Sequence, residues 1–239
     1  MKNYFITGTD TGVGKTFITC ALLIKLQAAG INITAMKPVA AGLIDVDGER
    51  LNEDVAAIRA VTRRRFPLRD VNPYCMTEAV APHIAAVHEN IRIEATVIAD
   101  AFARLRHETD CVLVEGAGGF LVPLNAVESM ASLPSWLGLE VIMVVGMRLG
   151  CLNHALLTAE AIRARGYNLA GWIANSVTAQ PMHRFDENIA ALKLMLKAPW
   201  LGTIPHIVSS KLDNTATLDA ARRASAHLQV DALLNGNQK

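Results

Sequence analysis

The residues best suited to chemistry lie in one run near the start of the chain, Gly8-Thr9-Asp10-Thr11-Gly12-Val13-Gly14-Lys15-Thr16. Glycines let a turn bring backbone N–H groups close to an anion, and a helix that starts at the turn adds its positive end. Lys15 offers a point charge for the outer phosphates of a nucleotide, and the Thr16 hydroxyl a ligand for Mg²⁺. Five residues separate Gly8 from Gly14, where the usual phosphate-loop spacing has about four. A tight turn that needs glycine for its backbone angles accounts for the glycines, but not for the Lys15–Thr16 pair.

Four further positions could join that loop. Lys37 follows an apolar run, and a lysine at the carboxyl end of a strand stands where open α/β sheets bind ligands. Glu115 follows Cys111-Val112-Leu113-Val114 and precedes glycines, the usual place for a Mg²⁺-side carboxylate. Asp54 falls in the first turn of a short helix capped by Asn52, where an acid is often only a dipole partner. A helix entered through Gly150-Cys151-Leu152-Asn153 offers a second anion site, relevant if the substrate carries a carboxylate.

The elements that position these residues alternate between strand and helix. Tyr4-Phe5-Ile6 reads as a strand, and the helix after the loop runs to about Ala29, with Gly30 as its stop. Residues 31–36 read as a second strand, 43–52 as loop, 53–61 as a helix, 62–82 as irregular, and 83–89 and 94–108 as helices. Strands follow at 111–114, 141–146, 169–174 and 199–204, and helices at 153–164, 183–196 and 215–234. With no repeat and no low-complexity linker, the pattern predicts an α/β fold, a single-domain parallel β-sheet flanked by helices over 1–239.

At 51% hydrophobic and 19% charged, the chain can bury a substantial core. A net charge of +1 implies no broad field for nucleic acid, and Arg63-Arg64-Arg65 reads as a solvated loop. No apolar run reaches the ~18 residues of a membrane helix. No signal peptide is visible, so a cytoplasmic location is expected. Cys20, Cys75, Cys111 and Cys151 lack metal-ligand spacing and read as reduced, mostly buried thiols. His83 and His88, five apart, read as ordinary polar residues.

Taken together, several stretches resemble the dethiobiotin synthetase family, a P-loop NTPase-like group. They are the phosphate loop, Lys37-Pro38-Val39-Ala40, Asn72-Pro73-Tyr74, Ala81-Pro82-His83, Val114-Glu115-Gly116-Ala117-Gly118-Gly119, Gly150-Cys151-Leu152-Asn153-His154-Ala155 and Ala170-Gly171-Trp172-Ile173-Ala174-Asn175. They run in order from residue 4 to about 207, and the longer phosphate loop is itself a family feature. The resemblance implies ring closure of 7,8-diaminononanoate with CO₂ and ATP, with Mg²⁺, in a homodimer that binds substrate near the subunit interface.

Residue by residue, the resemblance implies catalytic roles for Lys37, Lys15 and Thr11. It implies nucleotide contacts from Gly12, Val13, Gly14, Lys15, Thr16, Phe17, Asp54, Glu115, Gly116, Ala117 and Gly118. The adenine would meet Asn175, Ser176, Pro205, His206 and Ile207. Mg²⁺ would fall to Thr16, Asp54 and Glu115, and the substrate to Ala41 and to Gly150, Cys151, Leu152 and Asn153 of the partner subunit. Two departures concern the substrate pocket. Ala41 stands where members often carry a hydroxyl residue, and the tyrosine that helps bind the carboxylate in some members has only Asn188 as a counterpart. An adenine contact near Leu212 or Asp213 is a further expectation.

Three other functions fit part of the pattern. A dimeric ATPase switch of the cell-division or partition type carries an extra lysine early in the loop, where this chain has Asp10. An amidating ligase that uses glutamine needs a further domain with a catalytic cysteine, and no cysteine here sits in a strand-to-helix nucleophile turn. A non-catalytic nucleotide-binding module leaves Lys37 and Glu115 unexplained.

Overall fold

The computed structural model describes residues 2–46, 48–208 and 213–234. β1 (Tyr4–Gly8) leads through the phosphate loop into α1 (Lys15–Ala28), which stops at Gly30, φ 85°. The chain continues with β2 (Ile33–Met36), β3 (Val39–Ala41), β4 (Leu43–Val46), β5 (Glu49–Asn52), α2 (Glu53–Val61), α3 (Leu68–Val71), β6 (Tyr74–Met76), α4 (Pro82–His88) and α5 (Ala95–Glu108). Then come β7 (Cys111–Gly119), a 3-10 turn (Met130–Ser132), α6 (Leu133–Leu137), β8 (Glu140–Gly146), α7 (Cys151–Ala164) and β9 (Leu169–Asn175). The described chain closes with α8 (Phe185–Met195), β10 (Trp200–Ile204), α9 (Asn214–Ser225) and α10 (Asp231–Leu234).

Among the described residues, six strands form one parallel sheet in the order β10-β9-β8-β1-β7-β2. Its central strands are apolar on both faces because both are covered. Phe5, Val112, Val114 and Met143 point into a core shared with Ile98 and Phe102 of α5 and Ala155 of α7. Their neighbours Tyr4, Ile6, Leu113 and Ile142 point the other way, against Ile18 and Leu22 of α1 and Ala221 of α9. This alternation is the two-residue period of a strand expressed on two buried faces.

The register decides what meets at the carboxyl edge. β1 pairs Ile6 with Glu115, and β2 pairs Met36 with Val114. From β1 the chain runs out to β2, returns to β7 beside β1, and then crosses to β8 on the other flank of β1. That reversal makes the crevice beyond the strand ends the natural ligand site.

The structure differs from the expectation in four places. Where 43–52 reads as loop in the sequence, β4 and β5 pair as an antiparallel hairpin, with Ile44 opposite Leu51 and the Asp45 carboxylate accepting from the Gly48 N–H. The hairpin strands are only four residues each, apolar and polar residues do not alternate strictly along them, and the intervening Gly48 reads as a turn. Residues 62–82 carry α3 and β6, the latter pairing with β3. The expected helix over 215–234 ends at Ser225. Leu228 bridges to Gly202, whose φ is 134°, and Gln229 N–H donates to the Leu201 carbonyl. Backbone pairing with β10 there wins over helix propensity. The helix expected from Asn153 starts two residues earlier, at Cys151.

Candidate functional site

Every strand that feeds the site ends at the same edge of the sheet. The phosphate loop leaves β1, Lys37 follows β2, Glu115 sits within β7, and Asn175 closes β9. Gly14 has φ 86°, and a Cβ on it would collide with the Asn175 amide. That amide donates to the Val13 carbonyl at 2.9 Å, so β9 braces the loop directly. Gly116 lies so close to Phe5 that a Cβ would come within 2.8 Å of the ring. Glycine there lets β7 pack tightly beside β1.

The charged centre is compact. Lys37 is 4% exposed and its ammonium lies 2.7 Å from both Asp54 Oδ2 and Glu115 Oε1. Burial alone would lower its proton affinity, but Glu115 and Asp54 outweigh that and hold it above the ordinary lysine value. Lys15 is also buried, and its ammonium donates to the Asp10 carbonyl at 3.2 Å. Burial, then the nearby Lys37 charge, pulls its pKa down to about 8 against the opposing pull of Glu115, Asp54 and Asp10. Thr16 Oγ1 donates to Glu115 Oε1 at 2.7 Å.

Backbone and amide contacts hold these groups in place. The Asn52 amide accepts from the Asp54 N–H, capping α2, and donates to the Ala41 and Gly42 carbonyls. Asn72 donates to the Lys37 carbonyl at 2.6 Å and to the Tyr74 carbonyl. These two amides fix the main chain around Lys37 and Asp54, a structural role that residue types alone do not show. In the sequence Asn72 stands inside the Asn72-Pro73-Tyr74 motif, whereas Asn52 signals only a helix cap.

Thr16, Asp54 and Glu115 offer oxygen atoms to a hard cation. Glu115 Oε2 is buried without a hydrogen-bond partner among the described residues, an orphan that an ion would satisfy. No described cluster of three or more His, Cys, Asp or Glu side chains could hold an ion by itself. The donor set therefore fits Mg²⁺ only when phosphate and water complete the shell.

Two cavities meet at the loop. One, of about 320 Å³, is lined by Phe17, Ala57, Asn175, Ser176, His206 and Ile207 together with Gly12, Gly14 and Thr16. The other, of about 700 Å³, is lined by Thr11, Lys15, Lys37, Ala41, Asp54, Ala117, Gly118 and the wall Val80–Pro82. Of the residues expected at the site, Val13 and Gly116 act from behind through packing and main-chain contacts. Pro205 and Gly150, Cys151, Leu152 and Asn153 line neither cavity. Gly150 caps α7 with φ 93°, Cys151 is buried and Asn153 is exposed. Asp213 caps α9 through its carboxylate, while Leu212 lies outside the described residues.

A family model described as an AAA domain matches residues 2–214. ATP-dependent dethiobiotin synthetase BioD of Aromatoleum aromaticum is 51% identical over 209 residues, covering 87% of this chain and 92% of the relative. The chain belongs to the dethiobiotin synthetase family. A second member, from Nitrosospira multiformis, is 47% identical over 222 residues, covering 92% and 96%. As a dethiobiotin synthetase family member the chain is a ligase with an ATP-binding P-loop fold.

Solved structures bear on the fold alone. The MinC:MinD cell division protein complex of Aquifex aeolicus matches with a TM-score of 0.54 at 15% identity, covering 95% of this chain and 97% of that one. A ParA family ATPase from Chlorobium tepidum TLS matches with a TM-score of 0.51 at 17% identity, covering 92% and 98%. Both support the P-loop NTPase architecture of a parallel sheet flanked by helices.

Proposed function

We propose that this dethiobiotin synthetase family member closes the ureido ring of dethiobiotin from 7,8-diaminononanoate, CO₂ and ATP, with Mg²⁺, as one ligase domain over 1–239. The observation that carries the reading is Lys37. It is a buried ammonium beside the phosphate loop, held by two carboxylates and opening onto the larger cavity.

In this reading, one amine of the substrate takes up CO₂ and loses a proton, leaving a carbamate. A carbamate oxygen attacks the γ-phosphorus of ATP and ADP departs, giving a carbamic-phosphoric anhydride. The second amine attacks the activated carbonyl carbon and loses a proton, phosphate leaves with the C–O bond pair, and the ring closes. Phosphoryl transfer asks the protein mainly for positioning and charge. Lys15 and Lys37 supply fixed cations to the transferring group and the carbamate, and Thr11 borders the same cavity. Thr16, Asp54 and Glu115 would hold Mg²⁺, which when bound neutralises phosphate charge. Phe17, Asn175, Ser176, His206 and Ile207 frame the smaller cavity for adenine, with Pro205 in the same loop. Ala41 borders the larger cavity without a hydroxyl.

A homodimer suits the positions of Gly150, Cys151, Leu152 and Asn153. They line neither cavity of their own chain, and adjoining Leu149 is 93% exposed. In the proposed dimer they complete the partner's substrate pocket and take its carboxylate at the α7 N-terminus. No described helix is long and apolar enough to cross a membrane. A cytoplasmic location and the lack of a nucleic-acid partner belong to the same proposal.

The test is phosphate release from ATP with Mg²⁺ and bicarbonate, with and without 7,8-diaminononanoate. Release that requires the diamine, with an equal amount of dethiobiotin formed, supports the reading. Slow release indifferent to the diamine refutes it.

A further inference from the structure

The phosphate loop carries an acid of its own. Asp10 lies between Gly8 and Lys15, and its main-chain carbonyl is the acceptor 3.2 Å from the Lys15 ammonium. Its carboxylate accepts from the adjacent Thr11 N–H at 2.7 Å. A negative charge in a loop built to receive phosphates opposes its ligand. It also attracts Lys15, since Asp10 is among the groups that raise the proton affinity of that ammonium.

The opposing charge is met from the far side of the sequence. Arg148 follows β8, and its guanidinium donates to Asp10 Oδ2. Its own backbone is fixed: Met147 N–H donates to the Asn175 carbonyl, and the Arg148 carbonyl accepts from the Cys151 N–H in the turn that opens α7. Nothing in the sequence links positions 138 residues apart. The β1–β8 pairing sets the two loops side by side.

We propose that Arg148 is a positioning residue for the nucleotide: by neutralising Asp10 it lets the loop present Lys15 and its N–H groups to the phosphates without an opposing charge. The inference rests on the reading of this loop as the ATP site. As a contact for the fold, a half-exposed pair of this kind counts for little. Its effect falls on an anionic ligand, because a carboxylate left uncompensated near a triphosphate weakens binding by about tenfold at an effective dielectric near 20 and a separation of ~10 Å.

The experiment measures the dissociation constant of MgATP by calorimetry at low and high salt, with melting curves as a fold check. Arg148→Met should weaken MgATP about tenfold at low salt, and less at high salt, where screening acts. Arg148→Lys should restore most of the affinity. Asp10→Asn, which leaves the guanidinium without its acid, should bind as wild type or tighter. Asp10→Asn/Arg148→Met should return to within about threefold of wild type, the mark of charge compensation in a mutant cycle.

A merely structural latch predicts the reverse: Asp10→Asn weakens binding as Arg148→Met does, and the double variant is no better than either. That pattern, or an Arg148→Met protein that binds MgATP as wild type, overturns the proposal. Should Arg148→Met fail to fold, the Asp10→Asn arm decides alone, since weakened binding there is incompatible with compensation. Lys15→Met separates the two readings. If it binds MgATP as tightly as wild type, the ATP-site reading has failed, whatever Arg148 does.

Discussion

Replacing Lys37 by Met tests the charged centre through stability, independently of turnover. In the native chain the ammonium lies 2.7 Å from a fully buried Glu115 carboxylate and from Asp54, which is 21% exposed. Met keeps the length and removes the charge. Asp54 can turn to water, so the loss falls on Glu115, whose remaining donor is the Thr16 hydroxyl. Removing one partner of a buried pair costs about 3–5 kcal/mol, and the surviving Thr16 bond argues for about 3 kcal/mol. In a chain of this size that lowers Tm by about 6–12 °C. Lys37→Met/Glu115→Gln removes the stranded charge as well and should recover at least about half of the loss. Urea unfolding of wild type, both single variants and the double variant measures the coupling. A Lys37→Met protein as stable as wild type, or a double variant no more stable than Lys37→Met, would show that the pair is not buried and coupled as described.

Three further outcomes follow from the same geometry. With its pKa held near 8 against 10.5 for a free lysine, Lys15 binds its proton less readily folded than unfolded, so its contribution destabilises below pH 8. That penalty fades as pH rises from 8 to 10.5, and Lys15→Met should gain up to about 3 kcal/mol near pH 7 while losing MgATP affinity. A stability difference that does not change over this pH range contradicts the burial argument. Asp54→Ala and Glu115→Ala should each raise the Mg²⁺ concentration for half activity, and unchanged titrations in both remove them as ligands. Gly14→Ala should lose about 2 kcal/mol from its left-handed backbone and the displaced Asn175 amide. Asn175→Ala in that background should soften only the second part, and strictly additive unfolding energies would contradict the contact.

The sheet was legible because its central strands are short continuous apolar runs that end in chemistry-bearing residues. Cys111–Val114 followed by Glu115 is buried throughout, as a strand covered on both faces must be. The Asn52 cap and the α2 start were legible too, since a cap is local chemistry. The β4–β5 hairpin was not, because each strand is only four residues long, lacks strict alternation and takes its pairing from the other strand. The break after Ser225 was hidden for the same reason, since Gln229 pairs with Leu201 across the fold.

By itself the sequence determined the phosphate loop, the strand–helix alternation and the family. Those depend on residue types at fixed local spacing, which the chain carries wherever it folds. Only the tertiary structure decided that Lys37 sits between Asp54 and Glu115, that Asn175 braces Val13, and that Arg148 meets Asp10. Each contact joins residues brought together by strand order and register. Register is settled by the burial of whole faces of the sheet, which no single stretch of sequence contains.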